Sequence, residues 1–228
     1  MKKKVTAMMV GMATVCSTCI PSTALGNKDV VVRVGEYENK PGKRIYVESN
    51  FDVPDDIPLR KDNNGYYISE WDINLKLAKR IAYYLEQQGA DVDLQVAHSK
   101  QEDLNAAGRI AREKNPTVYF SVHHNYYNES SSGYFMMVNQ KATKAKKYAE
   151  ALTNSLQNNP TNIPGREVRV QDGYIGEMNQ NPGKINILGE MGFFSNKEEL
   201  KKIIDDEQVD YMAKEIATVL IQIVKAEK

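Results

Sequence analysis

Two of the three histidines in this 228-residue chain, His123 and His124, stand side by side at the end of the apolar run in YFSVHHNYYN, Tyr119 to Asn128. An imidazole at the end of a strand can grip a metal ion, or it can be a hydrogen-bonded core group. A metal site needs partners, and two carboxylates stand in comparable places. Glu70 opens a long amphipathic segment, and Glu190 ends the apolar run ILGE. Each has a plainer explanation. A carboxylate at a helix N-terminus is favoured by the helix dipole, and a salt bridge would satisfy Glu190. Without a partner, a carboxylate closing an apolar strand carries a desolvation cost. Taken together, a carboxylate, an imidazole and a second carboxylate are the parts of a metal-assisted hydrolase. In such a site two ligands hold the ion and a glutamate handles protons.

These groups can act only if the fold brings them to one rim. Ser69 can cap a helix over about 70–88, with Asp72 three residues on as an acidic variant of the capping box. Ile73, Leu77, Ile81 and Leu85 recur at helical spacing and Gly89 ends the run. RIYVES (44–49) and ADVDLQVAH (90–98) read as strands, with a long loop over 51–67. A second helix over 102–114 stops before Pro116, and TVYFSVHH (117–124) has the apolar character of a strand buried on both faces. Further strands are expected at 132–138, around EVRVQ and at 184–192, and helices at 141–158 and, in two pieces, over 197–226. Strands alternating with helices predict a three-layer α/β/α domain with a mostly parallel central sheet. In such sheets functional residues gather beyond the carboxyl ends of the strands.

The N-terminus differs from the rest. MKKK is a basic start, Val5 to Val15 a weakly apolar core, and Ala24-Leu25-Gly26 a small-x-small cleavage site. This reads as a signal peptide over residues 1–26, followed by a linker or N-terminal extension over 27–42 and one domain over 43–228. Cys16 and Cys19 both fall in the leader, so the mature chain would contain no cysteine, which suits an oxidising, extracytoplasmic location. Loss of Lys2, Lys3 and Lys4 would leave 27 basic against 30 acidic residues. Nothing in that balance points to nucleic acid, and no membrane span is expected after cleavage.

From about Lys43 to Val224 the chain resembles the zinc-dependent N-acetylmuramoyl-L-alanine amidases that trim bacterial peptidoglycan. Three motifs carry the resemblance. SEWDINLKLAKRIAYYLEQQG is similar to the family's E-x-x-x-N-L helix. The segment from Ala107 to Asn125 ends like its S-[IV]-H-x-N strand, and ILGEMGFFSNKEE resembles its L-x-E-x-G-F-x-S-N-x-x-E ending. The resemblance implies that Glu70 and His123 are zinc ligands. It makes Glu190 the base that deprotonates a water attacking the amide between muramic acid and L-alanine. His124 and Asn125 would then lie near substrate, and Tyr66, Tyr67, Tyr126, Tyr127 and Tyr134 on rim loops could stack on sugars.

The family's first ligand is a histidine in a D-P-G-H-G turn after the first strand. With RIYVES as that strand, the place reads VESNFD and holds Asn50 or Phe51. Asp52 is the preferred substitute donor, ahead of Glu48, Asn50, His98 and His124. The family's T-R-x-x-D after the second strand is replaced by AHSKQED. Two expectations follow. One is a secreted, zinc-dependent peptidoglycan amidase with an unusual first ligand. The alternative is a degenerate amidase-like protein that binds peptidoglycan or a regulatory protein partner without cutting.

Overall fold

The computed structural model describes residues 27–38, 40–173 and 175–228. The expected signal peptide, residues 1–26, lies outside the described residues. The strands are β1 (Val30–Val34), β2 (Arg44–Val47), β3 (Arg60–Asp62), β4 (Gly65–Ser69), β5 (Val92–Gln95), β6 (Val118–Asn125), β7 (Phe135–Asn139), β8 (Arg169–Gln171) and β9 (Ile185–Phe193). The helices are α1 (Glu70–Gln87), α2 (Leu104–Glu113), α3 (Thr143–Ser155), α4 (Lys197–Ile204) and α5 (Asp206–Glu227). A six-stranded sheet runs β5-β1-β6-β9-β7-β8, parallel at every pairing except β7 against β9. Helices flank it, so the expected α/β architecture with a mostly parallel sheet is what the chain adopts. No helix among the described residues is long and apolar enough to cross a membrane.

Alternation along the inner strands sorts their side chains between the two faces. Val30, Val32, Val34, Val118, Phe120 and Val122 join Ile73, Leu77, Ile81 and the α5 residues Ile216 and Leu220 in the main core. Val31 and Tyr119 point the other way and pack on Ala111 of α2. The same alternation sends His123 to the α2 face and His124 to the α1 face.

Two boundaries differ from the sequence expectation. Residues 27–42, expected as a linker or extension, contain β1, whose five residues are all buried in the middle of the large sheet. The run VVVRV is the β-branched, apolar type that a strand covered on both faces requires. Its one charged side chain, Arg33, is fully buried and donates to the carbonyls of Gln95, Glu36 and Glu102, each at 3.3 Å. RIYVES does form a strand, but β2 belongs to a separate antiparallel sheet, β2-β4-β3. The other two strands of that sheet arise from 60–69, part of which was expected as loop, with Asn63-Asn64 as the hairpin turn. This hairpin leads directly into α1. Ser69 caps the helix by accepting from Asp72 N, and Arg60 grips the Asp72 carboxylate with two bonds of 2.8 Å.

Candidate metal and proton-transfer site

Four elements deliver acidic or imidazole groups to one buried place. Glu70 is the first residue of α1 and fully buried. His123 lies near the end of β6, 5 % exposed, with Nδ1 3.3 Å from Glu70 Oε1. Glu190 sits beside His123 in register across the parallel β6–β9 pair, so both point to the same face. The fourth group is one the sequence reading passed over. Glu36, 5 % exposed, follows β1 and joins Glu70 and His123 in a group whose ligand atoms all lie within 4.8 Å of one another. Glu36 has φ 63°, a left-handed backbone that is uncommon for glutamate.

The electrostatics of the group are set by close charge pairing. Burial alone would raise the Glu70 carboxyl, but the bond to His123 and the Lys43 charge hold it down at about 2. Lys43 Nζ lies 3.2 Å from Glu70 Oε2 and 3.7 Å from Glu36 Oε1, and Lys40 also pairs with Glu36. Burial pulls the His123 imidazole down, yet Glu177 and Glu70 outweigh it and raise it well above the ordinary histidine range. Glu190 is the exception. Its Oε2 is buried with no hydrogen-bond partner, and burial raises its carboxyl to about 7 against the pull of His123.

Glu177 was not foreseen either. It comes from a short 3₁₀ turn, Gly176–Gln180, and is fully buried. Its Oε1 is 3.2 Å from His123 Nε2, and its Oε2 accepts from the Tyr119 hydroxyl at 2.6 Å. A carboxylate on the outer ring nitrogen of a histidine fixes which nitrogen is free to bind a cation. Here that nitrogen is Nδ1, which faces Glu70.

Other expected residues are placed elsewhere. Asp52 is exposed and lines a groove with Val53, Lys201 and Asp205, apart from the Glu36–Glu70–His123 group. That separation follows from the misplaced first strand: the turn after the true first strand is residues 35–38, not VESNFD. His98 is exposed and pairs with Glu38 at 3.0 Å. His124 points to the other face of the sheet from His123, toward α1. It is 2 % exposed, bonded to Asn74 Oδ1 at 2.8 Å, and lines a small void with Leu77, Met191 and Met212. Burial lowers its imidazole to about 3, so it is neutral. Asn125 is partly exposed at the strand end, just past a register shift between His123 and Asn125. Of the expected sugar-stacking tyrosines, Tyr67 and Tyr134 are buried, whereas Tyr126 and Tyr127 are 48 % and 74 % exposed. These two line a groove of about 500 Å³ with Gly42, Arg44 and Tyr46, residues that flank Lys43.

A sequence profile for N-acetylmuramoyl-L-alanine amidases matches residues 60–222. The chain belongs to the N-acetylmuramoyl-L-alanine amidase family. The match begins after β1 and Glu36. The germination-specific N-acetylmuramoyl-L-alanine amidase of Bacillus subtilis is 28 % identical to this amidase-family chain over 173 residues, 69 % of this chain and 70 % of that protein. Two solved structures share the fold at 21 % identity. The CwlD amidase from Clostridioides difficile, in complex with the GerS lipoprotein, has a TM-score of 0.67 and covers 88 % of this chain and 100 % of that one. An N-acetylmuramoyl-L-alanine amidase from Clostridium difficile 630 has a TM-score of 0.64, with 89 % and 100 % covered.

The amidase motifs also have structural duties. In ILGEMGFFSNKEE, Asn196 caps α4, and the buried Glu199 accepts from Phe193 N at 2.6 Å and from Gly133 N at 3.0 Å. Ser195 Oγ donates to Asn128 O and accepts from Tyr127 N, pinning the β6–β7 loop.

Proposed function

We propose that this chain is a peptidoglycan hydrolase that cleaves the amide between N-acetylmuramic acid and L-alanine. Glu36, Glu70 and His123 would hold a zinc ion, and Glu190 would serve as the general base. The observation that carries the reading is the pairing of a three-donor group with an unpartnered carboxylate of raised pKa on the neighbouring strand. The donor set fits the ion: three protein ligands of nitrogen and oxygen type are what a catalytic zinc site uses. Two of its members, Glu70 and His123, come from the family motifs. In this reading Glu36 takes the part that the sequence expectation gave to Asp52, and a third donor favours hydrolysis over binding without cutting.

Zinc held there supplies Lewis-acid polarisation of the scissile carbonyl and acidification of the attacking water. The chain's own residues do the rest. Glu190, poised near 7 in the metal-free protein, accepts the water's proton on Oε2 and returns it to the departing amine of L-alanine. Glu177 keeps the proton on His123 Nε2, so that Nδ1 is turned to the two ligand carboxylates. The exposed faces of Tyr126, Tyr127 and Tyr46 offer a stacking surface for the glycan beside the site.

Action on peptidoglycan places the mature protein outside the cytoplasmic membrane, in line with a signal peptide over residues 1–26. The GerS complex of the Clostridioides difficile amidase supports a protein partner for this chain too. The test is digestion of purified peptidoglycan by the zinc-loaded chain, read as newly exposed L-alanine amino groups. Release that Glu190→Gln abolishes supports the reading, and absence of release from the wild type overturns it.

A further inference from the structure

Asn74 stands four residues after Glu70 on α1, so the two side chains share a helix face. Its side-chain nitrogen donates to Gly35 O at 3.0 Å and lies 3.4 Å from Glu70 Oε1. A backbone carbonyl can only accept, which fixes the amide's orientation: the nitrogen faces Gly35 and the oxygen faces away. That oxygen is met by His124 Nδ1 at 2.8 Å. His124 Nδ1 therefore carries the proton and donates. His124, Asn74 and Glu70 are 2 %, 0 % and 0 % exposed, so no water competes for these bonds.

The carbonyl that Asn74 grips belongs to the peptide leading into Glu36. Gly35 is itself tied to β6 and packed against His123. Its N–H donates to Val122 O at 2.8 Å, and a Cβ there would come within 2.6 Å of the His123 ring. One buried amide thus touches the peptide before Glu36 and the carboxylate of Glu70 at once. Gly35 and Glu70 hold the amide by its nitrogen, and His124 holds it by its oxygen, so His124 fixes the end that the other two leave free.

We propose that His124 is a positioning residue: by donating to Asn74 it aims Glu36 and Glu70 together at the cation site. The doubled histidine then divides its labour across the sheet, His123 holding the ion from one face and His124 bracing two other ligands from the opposite face. This rests on the metal reading given above. His124 touches neither substrate nor ion.

The test compares His124→Leu, which fills the space without a donor, with His124→Asn, whose amide nitrogen can take the place of Nδ1. Zinc affinity is measured by competition with a chromogenic chelator, and the ligand field by the visible absorption of the cobalt-substituted protein. The expected result is an affinity 10- to 100-fold weaker in His124→Leu with an altered cobalt spectrum, the range seen when a partner orienting a ligand is removed. His124→Asn should stay within about threefold of wild type. A separate readout needs no metal: the Asn74 side-chain amide resonances should exchange slowly with solvent in the apo wild type and in His124→Asn, and quickly in His124→Leu. Equal affinity in His124→Leu and wild type, equal losses in both variants, or unchanged Asn74 exchange would overturn the proposal. A wild type that binds no zinc but shows the exchange pattern would sink the metal reading and leave the brace standing.

Discussion

Glu177 Oε1 lies 3.2 Å from His123 Nε2, on the side of the ring opposite Glu70. The contact joins residues 54 apart in sequence, and both side chains are buried. Removing the charge should weaken the hold on the tautomer without opening space. Glu177→Gln is expected to lower zinc affinity 10- to 100-fold. Isothermal titration of the apo protein measures this directly. An unchanged affinity would mean that the contact packs the 3₁₀ turn and does not orient the imidazole.

Glu190 links proton transfer to stability. Its carboxyl rises from an ordinary 4.5 to about 7 in the folded, metal-free protein. A raised carboxyl stabilises the fold fully below the unfolded value, and that contribution is lost as pH rises through the folded one. The penalty at pH 8 is about 3 kcal/mol by linkage. Glu190→Gln should therefore melt higher than wild type at pH 8 in the presence of a chelator, with the gap closing by pH 4, while losing all hydrolysis. Melting curves at the two pH values check the sign, and a variant less stable than wild type at pH 8 would contradict it.

Lys43 places its ammonium between Glu70 and Glu36. Two buried carboxylates this close need a cation, and Lys43 supplies one when no metal does. Lys43→Met should lower the melting temperature of the apo protein and tighten zinc binding several-fold, because the ion no longer displaces a resident charge. Thermal melts and zinc titrations on the same samples test both halves. A variant with weaker zinc binding would show Lys43 to be a supporting group and not a competitor.

The large-scale fold was legible because the helical and strand periods were clean. Leu77, Ile81 and Leu85 at helical spacing marked α1, and the apolar run before His123 marked a strand buried on both faces. Glu70, His123 and Glu190 were legible as chemistry because each charged or imidazole group sits where an apolar run ends or a helix begins. Glu36 was hidden by its neighbourhood. The polar stretch GEYENKPGK after VVVRV masked a core strand as a linker, and that error moved the search for a third donor to Asp52. Four valines in a run of five were the available signal. Glu177 left no signal of this kind, since its contact with His123 depends on how a turn between β8 and β9 folds back over the sheet. The sequence could not choose a role for His124, because its bond to Asn74 spans 50 residues and exists only once α1 lies on β6.

The measurement that bears most directly on the account is metal stoichiometry, taken by plasma emission on zinc-loaded, desalted protein for wild type, Glu36→Ala, His123→Ala and Asp52→Ala. The account predicts one zinc per chain in wild type and Asp52→Ala, and zinc lost from Glu36→Ala and His123→Ala. Zinc retained by Glu36→Ala, or lost from Asp52→Ala, would contradict it.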